Sequence, residues 1–460
     1  MPQMPQNKSQ KQLDVHIRWR PLNDAEVSDG QIEPQTTPAA NARSLLSISV
    51  RPPGPGTARP WTSPPAFRAV LGPDDDNAHV YERIVAPVIP QVLRGSSCNF
   101  FAYGHSGSGK THTIIGYDYD ADGQLGLCLA ASQKLFSALD SLRGRDREGE
   151  GDEDSVLGIG ISLFELRKNT AFDLLNGCKA CHVREGADGA THIRGATETL
   201  SGGRVRVQPL TQRACWTFAS LRELLTSSLR QRAVGSSSVH DQSSRTHAVL
   251  RLEVVNRRLV AARRAVVERE SELVPVGKRA TDIAIEEQSK GVMKDAAGAW
   301  VVNPDYEVDQ RRIDAADAEK ARYEARVGAA EEEVRAILAG DAAGCLGGKM
   351  VFVDLAGAEY QIDKGTQAPL AQKQTPQERQ EGRQINTDLL ALKEVIRAWS
   401  AGQARIPFRL SPLTMVLREH FVEAGDGTSA MIVTVSPAAS QYSATLNSLK
   451  YGGLVGTVSA

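Results

Sequence analysis

The sequence predicts an α/β fold, a parallel sheet buried on both faces with a phosphate-binding loop at the carboxyl ends of its strands. Three observations carry this expectation. The apolar run NFFAY (99–103) leads straight into the glycine-rich loop GHSGSGKT, and a second apolar run, MVFVDL (350–355), brings an aspartate to its end. Neither run shows the alternation of a strand with one wet face, as expected of strands covered on both sides.

Taken in order, residues 1–12 are polar and read as a disordered N-terminus, and Leu13–Ile17 alternates as a short strand that RPLN stops. The Pro/Gly-rich RPPGPGTARPWTSPP (51–65) and the acidic GRDREGEGDED (144–154) read as surface loops. From about Asn256 to Gly348 the composition shifts to Ala, Arg and Glu. There AVVERESEL and DAADAEKARYEARVGAAEEEVRAIL read as helices, with Ala316, Tyr323, Val327, Ala330, Val334 and Ile337 in one narrow apolar stripe. This stretch is read as an insertion, either a charged helix lying on the surface or a protruding helical hairpin or partner site.

The chain has 460 residues, 41% hydrophobic and 24% charged, which suits a soluble globular protein with a sizeable core. Its net charge of -1 means that a polyanionic partner must be met by a local basic patch. No apolar run spans a bilayer and the N-terminus lacks a signal-peptide core, so a cytosolic or nuclear protein is expected. Six cysteines are too few for a disulfide framework in so long a chain. Cys178 and Cys181 form a lone CxxC, half a zinc site or a redox pair at most, and read as incidental thiols.

GHSGSGKT (Gly104–Thr111) fits GxxxxGK[ST] after a strand and before a helix opened by THTII. In that pattern the glycines let backbone N–H groups curl around phosphate oxygens, Lys110 reaches the terminal phosphates and the Thr111 hydroxyl can ligate magnesium. DLAGAE (354–359) follows the second strand, where Asp354 can hold the magnesium shell and Gly357 frees the backbone to approach a phosphate. HDQSSRTH (240–247) supplies hydroxyls and a cation ahead of the strand-like AVLRLEVV.

In content and order, FAYGHSGSGKTHT, SSRTH, DLAGAE, INTDLLALKEVI, IPFRLSPLT and TLNSLKY resemble the kinesin motor domain. The likeness covers residues 13–455, interrupted by the 257–347 insertion; 456–460 add neither neck nor stalk. LLALKEVIRAW, PFRLSPLTMVLREHF and TLNSLKY look closest to the internal-motor kinesins that depolymerise microtubule ends.

The resemblance implies a P-loop NTPase motor fold, with a mostly parallel mixed sheet of about eight strands covered by helices on both faces. It implies an ATP hydrolase using Mg2+, stimulated by microtubules, in the cytoplasm and on the microtubule cytoskeleton, with no nucleic acid or membrane partner. A monomer is expected of the chain as it stands. Residue by residue, Gly104, His105, Ser106, Gly107, Ser108, Gly109, Lys110 and Thr111 would cradle the phosphates, while Arg18, Pro21 and His112 flank the adenine. Thr111, Ser244 and Asp354 would hold the metal. Ser243 and Ser244 would form the first switch and Gly357 the second, latched by Arg245 pairing with Glu359. Arg184, Lys393 and Arg409 would face tubulin.

Four departures from the family pattern bear on function. His240 stands where an asparagine usually opens the first switch, Ala358 replaces the serine of DLAGSE, and Leu410 and Pro412 replace the aspartate and lysine of PYRDSKLT. The lysine-valine-aspartate finger of the depolymerising class is missing from residues 40–66. An alternative is therefore a kinesin-like microtubule-binding module with weak or no hydrolysis. A GTPase regulator is disfavoured because no NKxD-type motif reads guanine. Finally, the strand after SSRTH should run away from the nucleotide and MVFVDL back toward it. The two should be antiparallel neighbours, with the insertion at the far end of the sheet.

Overall fold

The apolar runs around the glycine loop do form the centre of a sheet. The computed structural model describes residues 13–24, 26–27, 30–39, 44–54, 59–116, 125–145, 153–168, 170–186, 189–234, 245–296, 298–341, 344–358, 376–422 and 427–458. Residues 1–12 and parts of both surface loops read from the sequence, 55–58 and 146–152, lie outside that set.

Twelve strands make the main sheet. They are β1 (Leu13–Trp19), β2 (Ala69–Leu71), β3 (Ser97–Tyr103), β4 (Leu157–Arg167), β5 (Thr170–Asp173), β6 (Lys179–Glu185), β7 (Thr191–Thr199), β8 (Val205–Pro209), β9 (Arg213–Cys215), β10 (His247–Asn256), β11 (Lys349–Asp354) and β12 (Ser429–Val435). Their order is β8-β7-β6-β5-β4-β10-β11-β3-β12-β1-β2, with β9 on β4. From β2 to β11 the neighbours are parallel, and from β10 outward they are antiparallel. The sheet exceeds the expected eight strands because β5 to β8 extend it as a meander. Those strands are short or half exposed, and their weak patterning leaves little trace in the sequence.

Besides short helices at Asn77–Val80 and Ile89–Val92, the helices are α1 (Lys110–Ile114), α2 (Leu127–Arg145), α3 (Phe218–Val234), α4 (Arg257–Lys290), α5 (Gln310–Ala339), α6 (Pro376–Ser400), α7 (Pro412–Val416), α8 (Arg418–Val422) and α9 (Tyr442–Val458). Alternation along the strands feeds two cores. On one face Phe100 stacks on Phe352 at 5.1 Å and packs with Leu129 and Leu135 of α2 and Leu225 of α3. On the other, Phe101, Val353 and Met431 meet Leu392 and Val395 of α6 and Leu449 of α9. Every residue of β3 and β12 is buried, so the central strands read as unbroken apolar runs. Each fully buried phenylalanine contributes about 1.5–3 kcal/mol.

β10 and β11 are antiparallel, as the sequence argument requires. The insertion leaves from Asn256, about 30 Å along the strand from His247 at 3.3 Å per residue. The Asn256 side chain accepts from Leu259 N–H and starts α4. Helices α4 and α5 form an antiparallel hairpin tipped by a ribbon of Val292–Lys294 and Trp300–Val302. The apolar stripe faces inward: Ala316 and Ala330 are buried, and Tyr323, Val327, Val334 and Ile337 half-buried. Its charges pair across the hairpin, Arg326 with Glu272 at 2.8 Å and Arg279 with Glu319 at 3.3 Å.

Cys181 is buried, and Cys178 is half-buried at a positive φ of 56°. Among the described residues no group of three or more His, Cys, Asp or Glu is placed to hold a metal. Nor is any helix among them long and apolar enough to cross a membrane.

Because Arg279 and Glu319 already face each other, replacing 280–318 with a short polar turn should leave a folded protein. Loop-closure cost changes slowly with length and a two- to five-residue turn joins antiparallel helices. The expected melting temperature lies within a few degrees of the parent. Loss of a cooperative transition in a thermal melt would instead make the outer hairpin part of the core.

Candidate functional site

Loop Gly104–Thr111 joins β3 to α1, and its glycines are there for steric reasons. A Cβ on Gly104 would collide with the Thr434 carbonyl and the Ser108 hydroxyl, and Gly107 and Gly109 sit at φ 74° and 99°. Ser108 Oγ lies 2.7 Å from Thr434 Oγ1 and ties the loop to β12. Ser106 and Gly107, by contrast, are exposed. The Lys110 ammonium donates to the His105 carbonyl at 2.8 Å; burial pushes its pKa down to about 8, against the pull of Asp354. Buried His105 is pushed down to about 4 and is neutral at pH 7.

The loop after β11 lies directly on this one. Ala358 N–H donates to the Gly104 carbonyl at 3.1 Å, and a Cβ on Gly357 would come within 2.8 Å of Ser106 N. Only glycine allows that approach. Register does the rest: β11 and β3 pair with Asp354 beside Ala102, and the Thr111 hydroxyl donates to Asp354 Oδ2 at 2.6 Å. A hydroxyl and a carboxylate 243 residues apart therefore share one point at the mouth of the loop, next to a lysine. This arrangement suits a divalent cation bound with phosphates.

Against known proteins, the family model for the kinesin motor domain matches residues 18–277 and 331–458. The chain belongs to the kinesin motor-domain family. It is 28% identical over 447 residues to kinesin-like protein KIN-13A of Oryza sativa subsp. japonica, covering 97% of this chain and 41% of that protein. It is 26% identical over 458 residues to kinesin-like protein KIF24 of Homo sapiens, covering 98% and 24%. The chain thus spans less than half the length of these relatives. The KIN-13A match accords with the internal-motor likeness read from the sequence. Among solved structures, the motor domain of the Kar3-like kinesin from Ashbya gossypii superposes with a TM-score of 0.56 at 19% identity, covering 96% of this chain and 99% of that one.

The remaining expected residues of this kinesin motor domain fall as follows. Arg18 is buried in β1, donating to Asn77 Oδ1 at 2.6 Å and Thr113 Oγ1 at 2.8 Å, and burial holds it down to about 10. Its guanidinium therefore braces α1, while Pro21 is exposed and His112 half-buried at the adjoining surface. Arg20, which the sequence reading passed over, donates to the Gly107 carbonyl at 2.9 Å and pairs with Glu26. Arg245 is half-buried and 3.8 Å from Glu381 of α6. Ser243, Ser244, Glu359 and His240 lie outside the described residues. Arg184 is exposed on β6 and Lys393 half-buried on α6. Arg409, expected as an outward cation, makes two 2.8 Å hydrogen bonds to Glu185, which also accepts from Arg418 at 3.2 Å.

One further group joins the parts. Ala356 N–H donates to His247 Nδ1 at 3.0 Å, while His247 Nε2 stands 3.9 Å from Asp388 of α6. Burial, then Lys110, pushes His247 down to about 3, so it is neutral. Burial pushes Asp388 up to about 6, against hydrogen bonds from Gln384 and Ser411.

These two groups act oppositely on stability. The raised Asp388 contributes fully below its ordinary pKa and loses that contribution as pH rises through about 6. The lowered His247 contributes above its ordinary 6.5 and loses it as pH falls toward 3. Asp388→Asn removes only the first. Between pH 6.5 and about 4, the variant's melting temperature should therefore fall more steeply than the wild type's. Parallel melting curves would overturn the assignment.

Proposed function

We propose that this chain is a microtubule-binding ATPase motor domain that couples ATP hydrolysis to movement along microtubules or to remodelling of their ends. The observation that carries the reading is the 2.6 Å hydrogen bond between Thr111 and Asp354, with Lys110 on the same loop. The residues fit a magnesium nucleotide: the glycine loop exposes Ser106 and Gly107, and Gly357 leaves no side chain in the way. Thr111 and Asp354, joined by Ser244, would hold the magnesium, which neutralises phosphate charge when bound.

Around that point the chain's own groups divide the work. Backbone N–H groups of Gly104–Thr111 and the Lys110 ammonium take the phosphate oxygens. A lysine with its pKa near 8 is readily kept charged by phosphate nearby. Ser243, Ser244 and Gly357 orient water and the terminal phosphate, and Arg245 with Glu359 latches the two loops, so the rate comes from positioning and electrostatics. The Ala356–His247 hydrogen bond brings the nucleotide side to within 3.9 Å of Asp388 on α6, which Ser411 before α7 also meets.

Purified protein should hydrolyse ATP with magnesium, faster with microtubules. Lys110→Ala should lower turnover about a hundredfold or more, and Glu359→Ala should bind ATP without hydrolysing it. Wild-type turnover no higher than that of Lys110→Ala would leave only a non-hydrolysing binder.

For the microtubule face, Glu185 competes with tubulin for Arg409 and Arg418. Glu185→Gln should strengthen co-sedimentation with microtubules and Arg409→Ala should weaken it. Both effects should shrink as salt shortens the roughly 8 Å range of exposed charges. Unchanged binding in both variants would move the interface elsewhere.

A further inference from the structure

The hairpin insertion roofs a cavity that the nucleotide reading does not use. About 750 Å³ of space lies between α4 and the outer half of the sheet, within the range of small-molecule sites. Phe164 of β4 and Val249 of β10 form part of its floor, Ile193 and Val207 of β7 and β8 a wall, and Val267 and Val274 of α4 the roof. No residue of Gly104–Thr111 lines it.

Two features mark it as more than a packing gap. Ser162 and Ser271 line the cavity at 1% exposure each, and neither hydroxyl has a hydrogen-bond partner among the described residues. A buried unsatisfied hydroxyl costs about 1–3 kcal/mol. The turn of α4 at Ser271 is further opened by Pro275, which has no N–H to give the Ser271 carbonyl.

The second feature is charge. Arg194, Arg251, Lys278 and Lys320 line the cavity against Glu270 and Glu419, with His192 and His420 alongside. Arg251 and Glu419 pair with each other at 3.3 Å, and Lys320 shares its charge with Glu324 at 3.6 Å. Arg194 and Lys278 lie at the cavity's exposed rim, where Arg194 and His192 act on the Glu270 carboxylate. Burial, then Glu331, pushes that carboxyl's pKa up. A mostly apolar chamber with excess positive charge and two unpaired hydroxyls suits an apolar body with one anionic head.

We propose that this cavity binds a small amphipathic carboxylate of the fatty-acid class. Its chain lies among Phe164, Val249, Ile193 and Val267, and its head accepts from Ser271, Lys278 and Arg194. Ser271, Val274 and Lys278 recur at helical spacing on one face of α4, so head and chain are met by the same helix. This proposal is independent of whether the chain hydrolyses ATP.

The test is calorimetric titration of the full chain with decanoate and, separately, with 1-decanol. Gly277 provides the blocking variant, because it lines the cavity, has nothing within 4 Å of an added Cβ, and lies in a helix interior where replacing glycine raises helix propensity. Wild type should bind one decanoate saturably, and Gly277→Phe should abolish that binding without lowering the melting temperature. Lys278→Glu should weaken decanoate about tenfold and leave decanol unchanged. Should Gly277→Phe lose its cooperative transition, Val274→Trp serves as the second filler, with the same expected loss. Absence of saturable decanoate binding to wild type, or binding that survives a folded filler variant, overturns the site. Equal affinities for decanol and decanoate overturn the assignment of the head group.

Discussion

Everything at the nucleotide edge depends on one close approach, between the backbone of the loop at Gly104–Ser106 and that of the loop at Gly357. Neither glycine has room for a methyl group. Parallel pairing of β11 with β3 enforces the approach, and the Asp354-to-Ala102 register aims a carboxylate at the Thr111 hydroxyl. A slip of one residue would turn Asp354 to the opposite face and put Val353 in its place. Two doubly buried strands leave no such freedom, since a slip would disturb both cores at once. The same apolar runs that make the strands easy to find also hold the polar site in register.

How much of this was legible depends on how local each signal is. The glycine loop, its lysine and threonine, the aspartate at a strand end and the antiparallel return of β11 are short-range patterns, and all were readable in the chain. The bracing of α1 by Arg18 was not, because Asn77 and Thr113 are 59 and 95 residues away and neither has a distinguishing neighbour. His247 and Asp388 were hidden for the same reason: a histidine in a polar motif and an aspartate in an amphipathic helix become neighbours only when two elements pack. Arg409 has a partner that its local sequence does not show. An arginine in an exposed turn reads as an open cation, and only the fold brings Glu185 from β6 to meet it.

The insertion illustrates how a charged segment can remain private. Arg279, Arg326, Glu272 and Glu319 look like a partner-seeking surface in the sequence, yet they pair across the hairpin and hold its helices in register. Such exposed pairs contribute little each, about 0–1 kcal/mol, so the inward stripe of Ala316, Val327 and Ala330 does most of the holding. What remains open to other molecules is the gap beneath α4.

That hairpin also bears on the order in which the chain folds. Near the insertion's root Val254 N–H donates to the Gly348 carbonyl and Gly347 N–H donates to the Val254 carbonyl, although roughly ninety residues separate them. Bringing together the ends of a flexible segment that long costs about 2.5 kcal/mol more than closing a five-residue turn. Helices are local and quick to form, and once α4 and α5 zip together the ends of the segment arrive nearly side by side. The insertion thus acts as its own splint: the antiparallel step between β10 and β11 can be reached early, ahead of the slower parallel pairing that brings β3 to β11.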